Sequence, residues 1–370
     1  MAFHLSRPFK AILTGACSFR RRLETRSRRP CFMPKRLVFT KAGAPETMRI
    51  ESFEATEPAD DEVAVEVAFA GINFADLLQR LGLYSPRPPY PFTPGYEASG
   101  TVVAVGSEVD RLKVGDAVIA VPGTGAQTSY LVCKADRVVS IPEGVSLQAA
   151  AAMPVTYLTA HHMLHHLGHL SSDESVLIHG GGGGVGTAAL QLCRWAGVER
   201  VWATASAGKA DIIRSFGGTP IDRHTEDFVD VVRKATNGTG VDHVLDPIGG
   251  DHLVRSLSAC REGGRVYTYG MSTFAPTGKR QPLRTALAWL RRTEIDPLRL
   301  MTRNRSLVGV HMGTWSRQDV LFAQMERLVQ GVKEGHLDPV IDGVMPLEEA
   351  AAAHHHLHDG KNIGKVLFSM

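Results

Sequence analysis

Five consecutive glycines, Gly180 to Gly184, interrupt the stretch "IHGGGGGVGTAALQLC" (178–193). Few folds tolerate so much bare backbone between two apolar segments. "SVLIH" (175–179) before it reads as a compact buried strand, and Val185 to Trp195 is helix-prone. Gly181, Gly183 and Gly186 satisfy G-x-G-x-x-G, a spacing that gains meaning only between a strand and a helix. Glycine admits backbone angles closed to other residues and lets an anion approach the main chain. The helix that follows adds unpaired N–H groups and the positive end of its dipole. A flexible linker is the competing explanation, but linkers do not usually join a buried strand to a buried helix. The stretch is expected to cradle the pyrophosphate of a dinucleotide.

Which dinucleotide turns on the end of the next strand, "RVWATA" (200–205). A site for a free ribose 2′-hydroxyl places a carboxylate about 20 residues past the glycines. Here the chain reads "ATASAGKAD" (203–211), with Ser206 and Lys209 and no acid before Asp211. Arg223 in "IDRHTED" adds a second cation. A hydroxyl and an ammonium accommodate a 2′-phosphate that a carboxylate would repel, so NADPH is favoured over NADH. Taken singly, Lys209 and Arg223 each also read as ordinary solvated charges.

The chain changes rhythm along its length. Between Lys35 and about Val155 it is β-like: "EVAVEVAFAG" (62–71) alternates like a half-buried strand, and "SGTVVAVGSEV" (99–109) and "GDAVIAV" (115–121) follow suit. Turn signals between them are dense, most of all in "YSPRPPYPFTPG" (84–95). After "MPVTYLTA" (153–160), strands alternate with helices: "RVWATA", the helix "KADIIRSFG" (209–217), then "VDHVLDPIGG" (241–250) and "GGRVYTYG" (263–270). That alternation predicts a doubly wound parallel sheet. The end, "IDGVMPLEEAAAAHHHLHDGKNIGKVLF" (341–368), reads as strand, helix, strand. The fold class is α/β, and no internal repeat is present.

Charge is uneven. Residues 1–33 hold eight Lys or Arg against Glu24 alone, so the net +3 of the 370-residue chain conceals a mildly acidic body. No broad basic surface points to nucleic acid. The leader has the composition of a transit peptide but lacks a clean amphipathic repeat; a disordered tail, or a domain beginning at Met33-Pro34-Lys35-Arg36, competes with that reading. A cytoplasmic location is the default, a mitochondrial one the alternative if the leader targets. The five cysteines (Cys17, Cys31, Cys133, Cys193, Cys260) contain no C-x-x-C pair, which fits neither a disulfide framework nor a thiolate zinc site.

The order of "GINFADLLQRLGLYSPRPPYPFTPGYEASGTVVAVG" (71–106), "VGDAVIA", "AAAMPVTYLTA", "GGGGGVGTAALQL" and "GKNIGKVLF" resembles the medium-chain dehydrogenase/reductase superfamily, and within it the quinone oxidoreductase branch. "TASAGKADIIRSFGGTPIDRHTEDFVD", "DPIGG" and the long segment from "YGMSTFAPTGKR" to "LVGVHMG" resemble the synaptic-vesicle membrane protein homologues of that branch. The likeness covers residues 35–369. It implies a leader (1–33), a GroES-like catalytic domain (34–155), a Rossmann NADP-binding domain (156–309) and a C-terminal segment (310–370) returning to the catalytic domain, with a homodimer as the expected assembly.

Zinc-dependent members of the superfamily hold catalytic metal with a cysteine and a Gly-His-Glu segment. The matching positions here are Asn73 and Tyr96, which supply neither thiolate nor imidazole, and the lobe with four clustered cysteines is missing. No metal is expected. The resemblance makes Asn73 a donor near the nicotinamide, with Asp76 orienting it or capping the next helix, and Tyr84 a candidate phenol for the acceptor oxygen. Thr159, Gly183, Gly184, Val185, Gly270, Gly364 and Lys365 fall on cofactor-contacting motifs. Arg223 is a departure, since relatives often carry tyrosine after "ID". The implied activity is metal-free hydride transfer from NADPH to a quinone or another α,β-unsaturated carbonyl. Two alternatives stand beside it: an acyl-thioester enoyl reductase, and a membrane-associated regulatory protein that binds NADPH with little turnover.

Two further features stand out. His161, His162, His165, His166 and His169, and likewise His354, His355, His356 and His358, are close in sequence. No carboxylate or cysteine completes either set, so incidental histidines are expected. "PLRTALAWLRRTEIDPLRLM" (282–301) places Leu283, Ala286, Leu287 and Leu290 on one helical face. It reads as a lid, a dimer contact or a membrane-surface helix, and its short length and modest charge count against the last.

Overall fold

The computed structural model describes residues 33–275 and 294–370, with Gln281, Leu283, Ala286 and Leu287 between them. Residues 1–32 of the leader, and residues 282, 284, 285 and 288–293 of the amphipathic segment, lie outside the described residues.

Fifteen strands are described: β1 Lys35–Phe39, β2 Met48–Ser52, β3 Glu62–Ile72, β4 Ala98–Val105, β5 Ala117–Ala120, β6 Tyr130–Lys134, β7 Val138–Ser140, β8 Ser175–His179, β9 Arg200–Ala205, β10 Thr219–Asp222, β11 Val241–Asp246, β12 Cys260–Thr268, β13 Ser306–Gly309, β14 Ile341–Pro346 and β15 Lys365–Ser369. Seven lie along one sheet's path with β6 added, in the order β14-β15-β3-β4-β5-β7, and β6 pairs with β3. β3 departs from the expected alternation, because Val63, Ala64 and Val65 are all fully buried. Pairing with β4, β6 and β15 occupies its edges, helix Leu147–Ala152 packs against it, and Ala64 is small enough to be covered, while Glu66 keeps the alternation and stays exposed.

The second sheet is parallel throughout, in the order β10-β9-β8-β11-β12-β13. Its order reverses between β8 and β11, which opens a crevice at the carboxyl ends of those strands. The helix Gly184–Trp195 packs on it through Ala188, Ala189, Leu192 and Cys193, all fully buried. Burying one such leucine stabilises by roughly 1.5–3 kcal/mol.

Two connections bring the sheets together. The chain passes from one to the other through helix Pro154–His161, whose last turn widens to a π-helix at His162–Leu167. It then returns at the C-terminus, where Val366 pairs with Ile72 in the antiparallel β15–β3 ladder. On the way back, Gly364 N–H donates to Gly182 O at 2.9 Å and Gly364 forms a bridge with Gly183. The last strand therefore ties the glycine loop to the β-rich sheet. Among the described residues no helix is long and apolar enough to cross a membrane.

Candidate active site

The glycines of the 180–186 loop are small for different reasons. A Cβ on Gly181 would lie 2.5 Å from Ala203 Cβ, and one on Gly186 would lie 2.6 Å from Gly181 Cα, so both let the loop close against β9 and the helix. A Cβ on Gly183 would meet only Gly180 O, at 3.4 Å. Gly183, Gly184 and Val185 form the half-buried mouth of a cradle, and no side chain caps the helix that starts there. Its first-turn N–H groups face the cradle unfilled. A diphosphate fits this arrangement.

Beyond the loop, the carboxyl end of β9 carries no acid. The Lys209 stem packs along Gly182, and its Nζ donates to Asn362 O at 2.5 Å. Burial foremost, and the charge of Arg223 next, hold Lys209 below the usual ammonium range. Two cations that repel one another therefore flank the position of Ser206. Asp222, at the end of β10, is turned into its own loop, accepting from His224 N–H and Thr225 Oγ1, and the acid whose charge reaches Lys209 is Asp342 of β14.

A second cluster lies where β15 meets helix Phe74–Leu81. Lys365 Nζ donates to Asn73 Oδ1 at 2.5 Å and to Glu97 Oε1. Asn73 Nδ2 donates to the same Glu97 oxygen at 2.7 Å, and Val155 N–H donates to Glu97 Oε2 at 2.6 Å. The side chains of Glu97 and Lys365 are almost fully buried. Gly71 makes room for them, since a Cβ there would lie 2.7 Å from Glu97 Cδ. Asp76 caps the helix, accepting from Asn73 N–H at 2.8 Å. Its other oxygen has no partner, and burial pushes its carboxyl up to about 7.

Beside this cluster is a cleft of about 250 Å³ lined by Gln79, Tyr84, Arg87, Tyr96, Thr124 and His311. Tyr84 and Tyr96 stand edge to face with centroids 6.3 Å apart. Burial raises both phenols above their ordinary range, so both stay protonated at neutral pH. Tyr96 Oη is buried without a hydrogen-bond partner.

Three side chains have the spacing of metal ligands: His179, Asp246 and His252. Ser256 Oγ stands among them, 3.1 Å from His179 Nε2 and 2.6 Å from Asp246 Oδ2. The hydroxyl takes the place an ion would need, and Thr204 Oγ1 bonds His179 Nδ1 at 3.1 Å. The trio is a closed hydrogen-bond network joining β8, β9 and β11 under the crevice. Neither histidine-rich segment singled out in the sequence forms such a trio among the described residues.

Residues 59–143 match the family model described as alcohol dehydrogenase GroES-like domain, and residues 218–367 match that of zinc-binding dehydrogenase. The mouse synaptic vesicle membrane protein VAT-1 homolog is 38% identical over 335 residues, 90% of this chain and 82% of its own. The chain belongs to the medium-chain dehydrogenase/reductase superfamily. Within that superfamily it is a quinone oxidoreductase-like, VAT-1-related protein. Pig quinone oxidoreductase is 32% identical over 332 residues, 88% of this chain and 95% of its own. The crystal structure of Escherichia coli quinone oxidoreductase complexed with NADPH superimposes with a TM-score of 0.79 at 29% identity, covering 91% of this chain and all of the other. The β-rich sheet is thus the GroES-like domain and the parallel sheet the Rossmann domain of a medium-chain dehydrogenase/reductase.

The fold brings most of the sequence-derived candidates into two groups. Asn73, Asp76, Gly364 and Lys365 converge with the glycine loop, and Ser206, Lys209 and Arg223 lie at its outer end. Gly270 follows β12 and packs against Pro247 at the end of neighbouring β11, where a Cβ would lie 3.1 Å from Pro247 Cα. Thr159 is turned inward, its hydroxyl donating to Val155 O at 2.6 Å; Thr156 is the threonine that touches the loop, with Cγ2 2.8 Å from where a Gly184 Cβ would sit. Tyr84 belongs to the cleft. Sequence reasoning passed over Glu97, although a carboxylate opening the apolar run "ASGTVVAV" is itself a signal. For His311 the sequence offers none.

Proposed function

We propose that this protein is an NADPH-dependent oxidoreductase that works without zinc and reduces a quinone or another α,β-unsaturated carbonyl. The observation that carries the reading is the open glycine cradle with Lys209 and Arg223 at its outer end and no carboxylate closing β9. Gly181, Gly183, Gly184, Val185 and Gly186 hold the diphosphate, Ser206, Lys209 and Arg223 take the 2′-phosphate, and Thr159 and Gly270 flank the crevice. Bound there, the reduced nicotinamide supplies hydride.

The Asn73, Glu97 and Lys365 cluster stands where zinc-dependent members hold metal. Its ammonium is paired with the carboxylate, and Asn73 and Tyr96 offer no thiolate or imidazole. This donor set does not fit zinc. An acceptor that spreads its own charge needs hydrogen-bond donors rather than a Lewis acid, and the protonated Tyr84 and Tyr96 supply them. That NADPH accompanies the E. coli relative and that the pig relative is named a quinone oxidoreductase agree with this reading.

Oxidation of NADPH by the purified chain, followed with a panel of quinones, enones and enoyl thioesters with and without chelator, tests it. Turnover of a quinone or enone that survives chelation is expected. Turnover confined to thioesters would assign the enoyl-reductase activity instead. The name of the mouse relative favours one other reading, a membrane-associated NADPH-binding regulator, which binding to liposomes with no turnover on any acceptor would support.

A further inference from the structure

We infer that His311 is the proton relay of the cleft, returning to Tyr84 the proton that Tyr84 gives to the reduced acceptor. The inference rests on the cleft's being the acceptor site. His311 follows β13 and so reaches the cleft from the Rossmann side, whereas Tyr84 comes from the loop after helix Phe74–Leu81. Their rings lie 5.1 Å apart, tilted by 32°. Between them is Gly313: a Cβ there would lie 3.5 Å from His311 Nδ1, 3.5 Å from Tyr84 Oη and 3.1 Å from His311 Cε1. The two polar atoms thus border a common space into which a side chain at position 313 would project.

The two groups differ in their access to protons. Tyr84 is half-buried and His311 is exposed. A half-buried phenol can give up its proton as negative charge develops beside it, but it cannot readily recover one from bulk water. An exposed imidazole, with a donor and an acceptor nitrogen on one ring, can exchange protons with water. The charged and titratable groups facing the pair are Tyr96 and Arg87 in the cleft wall and Asp76 behind the tyrosines. His162 and His166 pack on the nearby Trp315.

The chemistry balances. An enone that accepts hydride at its β-carbon shifts the C=C pair toward the carbonyl and becomes an enolate. The enolate oxygen takes the Tyr84 proton, forming its O–H bond as the phenol's breaks. The resulting phenolate takes a proton from a ring N–H of His311, and His311 takes one from water. The enol then tautomerises, so one hydride from reduced nicotinamide and one solvent proton are consumed. A quinone receives its proton on oxygen by the same route.

The test uses the full chain with NADPH and either 9,10-phenanthrenequinone or 3-nonen-2-one, comparing the wild type with His311→Gln, His311→Ala and Gly313→Ala. Slower return of the proton to Tyr84 is expected to lower kcat by about 100-fold in the His311 variants, the low end for assisted proton transfer, with KM and NADPH affinity nearly unchanged. The pH dependence of the wild-type rate should change shape in His311→Gln. Added imidazole should restore His311→Ala, and Gly313→Ala, which fills the gap, should behave like His311→Gln. A second readout needs no turnover: 4-nitrophenol bound to the NADP+ complex should lose one step of its pH-dependent absorbance in His311→Gln. Unchanged kcat and pH profile in His311→Gln would overturn the relay, as would a loss that imidazole does not repair and that leaves the profile's shape intact. If the wild type turns over neither acceptor, the functional reading fails, and the 4-nitrophenol titration alone decides the relay.

Discussion

Lys365 and Glu97 form an ion pair across 268 positions of sequence, with side-chain exposures of only 4% and 0%. The pair joins the last strand to the segment before β4, and Asn73 bonds to both partners. Removing one charge leaves the other buried and uncompensated, which costs about 3–5 kcal/mol. Lys365→Met is therefore expected to destabilise by that amount in urea unfolding. Glu97→Gln combined with Lys365→Met should recover a large part of the loss, and the resulting double-mutant cycle measures the coupling. Additive losses in the cycle would contradict the pairing.

Asp76 carries a pH-dependent cost. Its folded-state carboxyl, pushed up to about 7 by burial, binds a proton that the unfolded chain releases near the ordinary carboxylate range. Between those values the folded state holds more protons than the unfolded one, so this group's contribution to stability falls as pH rises from about 4 through about 7. Asp76→Asn keeps an oxygen for Asn73 N–H and has no charge to bury. Its stability relative to the wild type should therefore rise between pH 5 and pH 8, as read from paired denaturation curves. A constant difference across that range would exclude the assignment.

The histidines of the π-turn run the other way. Burial, as the leading cause, holds His161, His162 and His165 down to about 4. His161 packs on His165 at 4.9 Å between centroids, and His162 on Trp315 at 4.4 Å. The unfolded chain binds protons at these groups near pH 6.5, before the folded chain does, so stability present above that pH is lost as pH falls toward 4. At pH 5.5 the loss is on the order of 1 kcal/mol per imidazole. Unfolding midpoints at pH 7.5 and pH 5.5 should differ accordingly, and His161→Leu should narrow the gap.

The cations beyond the glycine loop set the cofactor preference. Lys209→Gln is expected to weaken NADPH by about 10-fold or more, the worth of a charge-assisted hydrogen bond, while NADH changes little. Ser206→Asp should shift preference toward NADH by placing a carboxylate where the 2′-phosphate would sit. Parallel losses for both cofactors in both variants would mean that these residues support the loop rather than read the phosphate.

Much of this architecture is legible in the sequence because local pattern and global fold agree there. "SVLIH" and "RVWATA" are strands to the residue, since a buried parallel strand is a short apolar run bounded by turns. The glycine loop was equally plain, because glycine is demanded at Gly181 and Gly186 by contacts with Ala203 and with the loop itself. What escaped depends on long-range placement. β3 alternates in sequence yet buries Ala64 with its neighbours Val63 and Val65, because packing from distant segments covers a position that the alternation would leave open. Lys365 is legible as a motif residue, but its pairing with Glu97 is not, because only the returning C-terminal strand joins them. His311 meets Tyr84 only because the two domains close on one cleft, and no spacing along the chain records that.

The most direct measurement is a fluorescence titration of the unaltered chain with NADPH and with NADH under the same conditions. Lys209 and Arg223, with no carboxylate closing β9, predict that NADPH binds tighter by about 10-fold or more. Equal affinities, or tighter binding of NADH, would contradict the account at its base.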